Sequence, residues 1–98
     1  MKSVVYHRLA ESEMVGSAIY YERRRNFLGE RFLDGIEVTL AKIQTNPALG
    51  RRGPLGTKSR KVKRFPLRII YLEETERIWI VAVAHLSRKP DYWHERMN

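Results

Sequence analysis

The groups best suited to chemistry lie in the C-terminal half of the chain. The run VAVAHLSRKPDYW, residues 81–93, passes from small apolar residues into His85, Arg88, Lys89, Tyr92 and Trp93. An unperturbed histidine titrates near neutrality and can move a proton. Arginine carries a planar fork that matches phosphate. A tyrosine or lysine joins proton transfer only when neighbouring cations pull its pKa down, and this chain supplies cations. Lys61 and Lys63 alternate along a strand-like stretch, so the period of two puts both on one face. Arg68 stands inside an apolar run, where a guanidinium must be paired or face a cleft. Lys61, Lys63, Arg68, His85, Arg88 and Tyr92 together would suit RNA cleavage by the 2′-hydroxyl. One group takes the hydroxyl proton, another protonates the leaving oxygen, and cations offset charge growing on the phosphate. Each residue also has a plainer reading: His85 as a hydrogen-bonded strand-end histidine, Tyr92 and Trp93 as cover for a sheet edge. Ser87 lacks an organised His/Asp relay. The three histidines have no ligand-like spacing, so no metal is indicated, and no glycine-rich loop calls for a cofactor.

Charge placement narrows the partners. The chain of 98 residues carries a net charge of +8. Residues 51–68, RRGPLGTKSRKVKRFPLR, contain Arg51, Arg52, Lys58, Arg60, Lys61, Lys63, Arg64 and Arg68 and no acid, and the remaining residues balance. Such a segment attracts nucleic acid or an acidic protein; its bland reading is a solvated basic loop. Ordinary apolar content argues against disorder, and the absence of cysteine suits a reducing cytoplasm. With no signal-like or membrane-length apolar run, the expectation is a soluble, unexported protein without a membrane partner. The length fits one domain, residues 1–98.

Periodicity supplies the scaffold. Residues 3–7, SVVYH, read as a strand. Ala10, Met14, Ala18 and Tyr21 mark one helix over residues 9–25; Phe32, Ile36, Leu40 and Ile43 mark another over 27–45, ended by Asn46-Pro47. A glycine- and proline-rich loop follows. Three strand-like runs come next, at 60–65, 67–73 and 78–85, the last apolar on both faces as befits a strand covered on both sides. The order β-α-α-β-β-β predicts an α+β fold with a helix hairpin packed on one face of a small antiparallel sheet.

With these residues in view, the chain resembles toxins of the RelE/ParE superfamily from bacterial type II toxin–antitoxin modules. The texts that carry the likeness are YYERRRNFLGERFLDGIEVTLAKIQTNPALG, VKRFPLRIIYLEE and the tail His-x-x-Arg-x-Pro-x-Tyr-Trp. The resemblance implies a growth-inhibiting toxin, of the kind that serves plasmid stabilisation, neutralised by a cognate antitoxin whose complex binds operator DNA. RelE-like members cut mRNA on the ribosome, which would give Arg68, Arg88, Tyr92 and His85 catalytic roles. Lys61 and Lys63 match that branch's paired lysines, but the Arg88–Tyr92 separation is shortened and Pro90 intervenes. ParE-like members inhibit DNA gyrase and cut no RNA; the long helix hairpin and the AHLSRKPDYW ending look closer to that branch, which would make Trp93 a partner-binding tail residue. The competing readings are the metal-independent endoribonuclease, a non-toxic basic nucleic-acid-binding module, and a partner protein that has lost toxicity.

Overall fold

The computed structural model describes residues 1–97. Strand β1 (Ser3–Tyr6) leads into helix α1 (Arg8–Arg24) and then helix α2 (Leu28–Thr45). Strands β2 (Arg51–Arg52), β3 (Lys58–Lys61), β4 (Leu67–Glu73) and β5 (Arg77–His85) follow, and a 3-10 turn (His94–Met97) closes the described chain. The five strands form one sheet in the order β1-β5-β4-β3-β2. The expected α+β arrangement is present, with one refinement: the sheet is mixed, because β1 pairs parallel to β5 while the other pairs are antiparallel.

Local chemistry explains the helix ends. The His7 Nδ1 accepts from the Leu9 amide at 3.0 Å and caps α1. The helix hairpin turns through Phe27, whose φ of 70° is left-handed. Glu22 holds that turn, its carboxylate accepting from the amides of Phe27 and Gly29 at 3.0 Å each. Gly29 lets the helices touch: a Cβ there would sit 2.6 Å from the Ala18 carbonyl oxygen.

The core has two layers. Phe32, Ile36, Leu40 and Ile43 of α2 and Ala10 of α1 pack on Leu67, Ile69, Tyr71, Ile78, Ile80 and Val83 of the sheet. The second face carries Ile70, Leu72, Trp79, Ala82 and Ala84, and the C-terminal tail folds back over it with Trp93, which is 2% exposed. The apolar character of β5 on both faces therefore has two covers, helices on one side and tail on the other. An extra residue in β5 shifts the register, since Ile70 pairs with Ala82 but Tyr71 with Ile80. This bulge lets Val81 join the second layer while Ile80 and Val83 both serve the first.

One strand differs from the sequence reading. The alternating Lys-Val-Lys-Arg stretch predicts a strand over 60–65, but β3 ends at Lys61 and residues 62–66 form the reversal into β4. Val62 is buried in the core, and Arg64 takes a φ of 72°. The turn is closed by bonds from the Val62 amide to the Leu67 carbonyl and from the Phe65 amide to the Val62 carbonyl. Lys61 and Lys63 consequently do not share a strand face.

Candidate functional site

The sheet face under the tail opens into a cleft of about 350 Å³. Arg51 and Arg52 border it from β2, Ser59 from β3, Arg68 and Ile70 from β4, Ala84 and His85 from β5, and Arg88, Lys89 and Tyr92 from the tail. The alternation of β4 places Arg68 here: Leu67, Ile69 and Tyr71 face the helices, so Arg68 and Ile70 face the other way. Arg68 donates from Nε to the Ser59 hydroxyl at 2.9 Å and from Nη2 to the Ser59 carbonyl at 3.3 Å. Desolvation by burial, with the nearby Arg51 charge, lowers the pKa of Arg68 from its ordinary value.

The tail is fixed by a cluster that sequence reading did not single out. Beyond Ile80, β5 keeps β4 on one side but has no strand on the other, because β1 ends and the His7 amide makes the last bond to the Ile80 carbonyl. Glu13 of α1 and Arg96 of the tail take over that open edge. The Glu13 Oε1 accepts from the Val83 amide at 3.1 Å, and Arg96 donates to the Val81 carbonyl at 3.0 Å. The two side chains meet in a bidentate pair at 2.9 Å per bond. The Tyr92 hydroxyl donates to the same carboxylate at 2.8 Å. Burial pushes the Glu13 carboxyl up, but the bonds from Arg96, Tyr92 and the Val83 amide outweigh it and leave its pKa lowered. Burial and the bond to Glu13 push the Tyr92 phenol up.

The proton-transfer candidates have defined engagements. His85 Nδ1 lies 3.0 Å from the Ser87 amide and 2.7 Å from its hydroxyl. An amide can only donate, so Nδ1 is an acceptor and a neutral ring carries its proton on Nε2. Lys61 is the cross-strand partner of Arg68, but its Nζ donates to the carbonyls of Val62 and Phe65 at 3.3 and 3.1 Å. The Arg88 guanidinium lies 4.0 Å over the Tyr92 ring, and Arg96 approaches the same ring at 5.1 Å. Arg88, Tyr92 and His85 also border a second cleft of about 350 Å³, shared with Glu13, Gly16, Ser17, Tyr20 and Tyr21 of α1.

The basic segment is thus divided. Arg51, Arg52 and Arg68 reach the cleft. Lys58 and Arg60 pair with Tyr71 and Ile69, positions that face the helix side. Lys63 and Arg64 sit exposed in the turn after β3. His85, Arg68, Arg88 and Tyr92 are brought together; Lys63 is not among them. Trp93 is buried against the sheet and has little surface to offer a partner while the tail is seated. Among the described residues there is no cluster of three or more potential metal ligands, and no helix is long and apolar enough to cross a membrane.

A helix hairpin laid on a mixed sheet, with a basic cleft on the opposite face, defines an α+β fold. The family model of the ParE toxin of type II toxin–antitoxin systems, parDE, matches residues 4–90, and the chain belongs to that family. A solved structure titled "Chromosomal ParDE TA system from P. aeruginosa" shares the fold, with a TM-score of 0.63 and 15% identity over 87% of this chain and 96% of that one. No curated protein sequence matches the chain.

Proposed function

We propose that this protein is a cytoplasmic, growth-inhibiting toxin that acts on DNA gyrase and is held inactive by a cognate antitoxin. Membership of the ParE family supports a toxin role and a partner antitoxin. The observation that favours gyrase over mRNA is the state of the proton-transfer groups. The Tyr92 hydroxyl is given to Glu13, His85 Nδ1 to Ser87, and Lys61 Nζ to two carbonyls. Among the described residues this leaves the His85 Nε2 edge as the one unengaged position of these three groups, whereas RNA cleavage requires both an acid and a base. The RelE-like reading keeps one observation in its favour: Arg68, His85, Arg88 and Tyr92 do border a single cleft.

In this proposal the antitoxin wraps the toxin with an extended or helical tail, and the pair binds operator DNA mainly through the antitoxin. The test is inducible expression in a bacterium, with and without the small open reading frame encoded beside the gene. Growth arrest, relieved by the neighbouring frame and accompanied by relaxed plasmid topology, is the expected result. Unchanged growth and topology at high expression would contradict it.

A further inference from the structure

The turn between the two helices carries a residue that folding does not explain. Phe27 holds a left-handed backbone, φ 70° and ψ 0°, where a glycine would sit without steric cost. Asn26, of a type that tolerates this region better, is one place away. Phe27 gains no burial in return: it is 65% exposed and belongs to neither layer of the core. The surrounding chain enforces the conformation. The Glu22 carboxylate accepts from the Phe27 and Gly29 amides, and the Leu28 amide donates to the Arg25 carbonyl at 3.1 Å. A strained residue whose ring is held out in water is a group kept ready for a partner.

We propose that the tip of the helix hairpin is the surface with which the toxin grips its target protein, Phe27 entering an apolar pocket and Arg23, Arg24, Arg25 and Arg31 meeting carboxylates around that pocket. The surface rests on the toxin reading above, but not on the choice of gyrase. Arg23 and Arg24 end α1, Arg25 caps it and Arg31 lies one turn into α2, all of them exposed. Aromatic and arginine side chains are the ones that dominate protein interfaces. The helix dipole favours Arg23 and Arg24 at the end of α1 whatever they meet, so Phe27 is the discriminating residue. A protein fits better than a nucleic acid. Glu30 and Asp34 stand exposed beside Arg31 on α2, so the tip carries both signs. They would repel a phosphate backbone, whereas an acidic protein surface can still set a cation or a hydrogen-bond donor opposite each. The tip is also set in advance. Arg24 donates from Nη1 to the Tyr20 hydroxyl at 3.0 Å and lies 5.3 Å over the same ring, and the turn itself is closed by the Glu22 and Arg25 bonds. Little ordering entropy is then lost on docking.

The test is inducible expression of the full chain in a bacterium, with Phe27→Gly and Leu49→Ala beside the wild type, followed by gyrase supercoiling with each purified protein. Leu49 is 69% exposed beyond the far end of α2 and controls for the loss of any exposed apolar group. Phe27→Gly relieves the left-handed strain, so its Tm should match or exceed that of the wild type. Growth arrest should be lost in Phe27→Gly and kept in Leu49→Ala. Half-inhibition of gyrase should need at least about tenfold more of the Phe27→Gly protein. Co-purification of that variant with the neighbouring antitoxin should be unchanged. Arg23→Gln/Arg31→Gln should weaken inhibition about threefold to tenfold and flatten its dependence on salt. Arrest by the wild type without gyrase inhibition would remove gyrase as the target, while its selective loss in Phe27→Gly would still support the tip. Full arrest by Phe27→Gly would overturn the surface with the toxin reading intact. So would an equal loss in Leu49→Ala, a loss of antitoxin binding in Phe27→Gly, or binding of a 20-base-pair DNA duplex that depends on Phe27. No arrest by the wild type would remove the toxin reading and the surface with it.

Discussion

Removing Glu13 should cost this fold more than any other single carboxylate would. Its side chain is 17% exposed and that of Arg96 10%, so water screens the pair only partly. Glu13→Ala would strand the Arg96 guanidinium with one carbonyl, the Val83 amide without an acceptor, and the Tyr92 hydroxyl without its partner. Breaking a fully buried pair costs about 3–5 kcal/mol, and residual exposure lowers that figure here. An orphaned amide adds about 1–3 kcal/mol where water cannot reach it. We expect a loss of about 3 kcal/mol, which in a domain of this size lowers Tm by roughly 10–20 °C. Urea denaturation of Glu13→Ala, Arg96→Ala and the double variant measures both the loss and the coupling, expected to be at least ~1 kcal/mol. The pH dependence has a defined sign. The folded pKa of Glu13 is depressed, so its contribution is present above the unfolded value of about 4.3 and disappears as pH falls through the folded value. The Glu13→Ala variant should therefore lose less stability than wild type on acidification below about pH 5. A loss under ~0.5 kcal/mol, or purely additive single variants, would refute the idea that this cluster closes the open edge of β5.

Trp93→Ala should cost about 3–5 kcal/mol in urea unfolding, because the indole is the main cover of the second sheet face; an unaltered midpoint would mean that the tail is not seated there. Gly29→Ala should destabilise by about 1–3 kcal/mol by forcing the helices apart. Gly16→Ala meets nothing within 4 Å and should stabilise by about 0.5–1 kcal/mol, so opposite shifts in Tm check the helix contact. Tyr71→Phe removes the 2.5 Å bond to the Pro47 carbonyl and should lower stability by about 1–2 kcal/mol in the same assay, with the fold kept.

The helices were legible because each presents a regular apolar stripe, and Phe32, Ile36, Leu40 and Ile43 are all buried as their spacing implies. The double-sided apolar run of β5 announced a strand covered on both faces. Its bulge was hidden for the same reason, since an uninterrupted Ile-Val-Ala-Val run offers no polar alternation to mark the extra residue. The error in β3 has a related origin. Alternating residues can occupy a turn when a buried Val62 and a left-handed Arg64 reverse the chain just before Pro66. The approach of Arg68 and His85 followed from strand order, whereas Arg88 and Tyr92 join them only because the tail folds back over the sheet. Glu13, Ser59 and Arg96 left no periodic signal. Glu13 reads as an ordinary acid near a helix start, and its use depends on where β1 ends, a tertiary fact. A residue such as Arg68 can still be flagged from sequence, because an unpaired cation in an apolar run demands an explanation.

The most direct test of the account is ATP-dependent supercoiling of relaxed plasmid by purified gyrase, titrated with this protein and run beside a translating reporter mRNA mapped by primer extension. The account predicts that supercoiled product disappears as toxin is added while the mRNA keeps its original 5′ ends. Full supercoiling together with new, translation-dependent 5′ ends would contradict it.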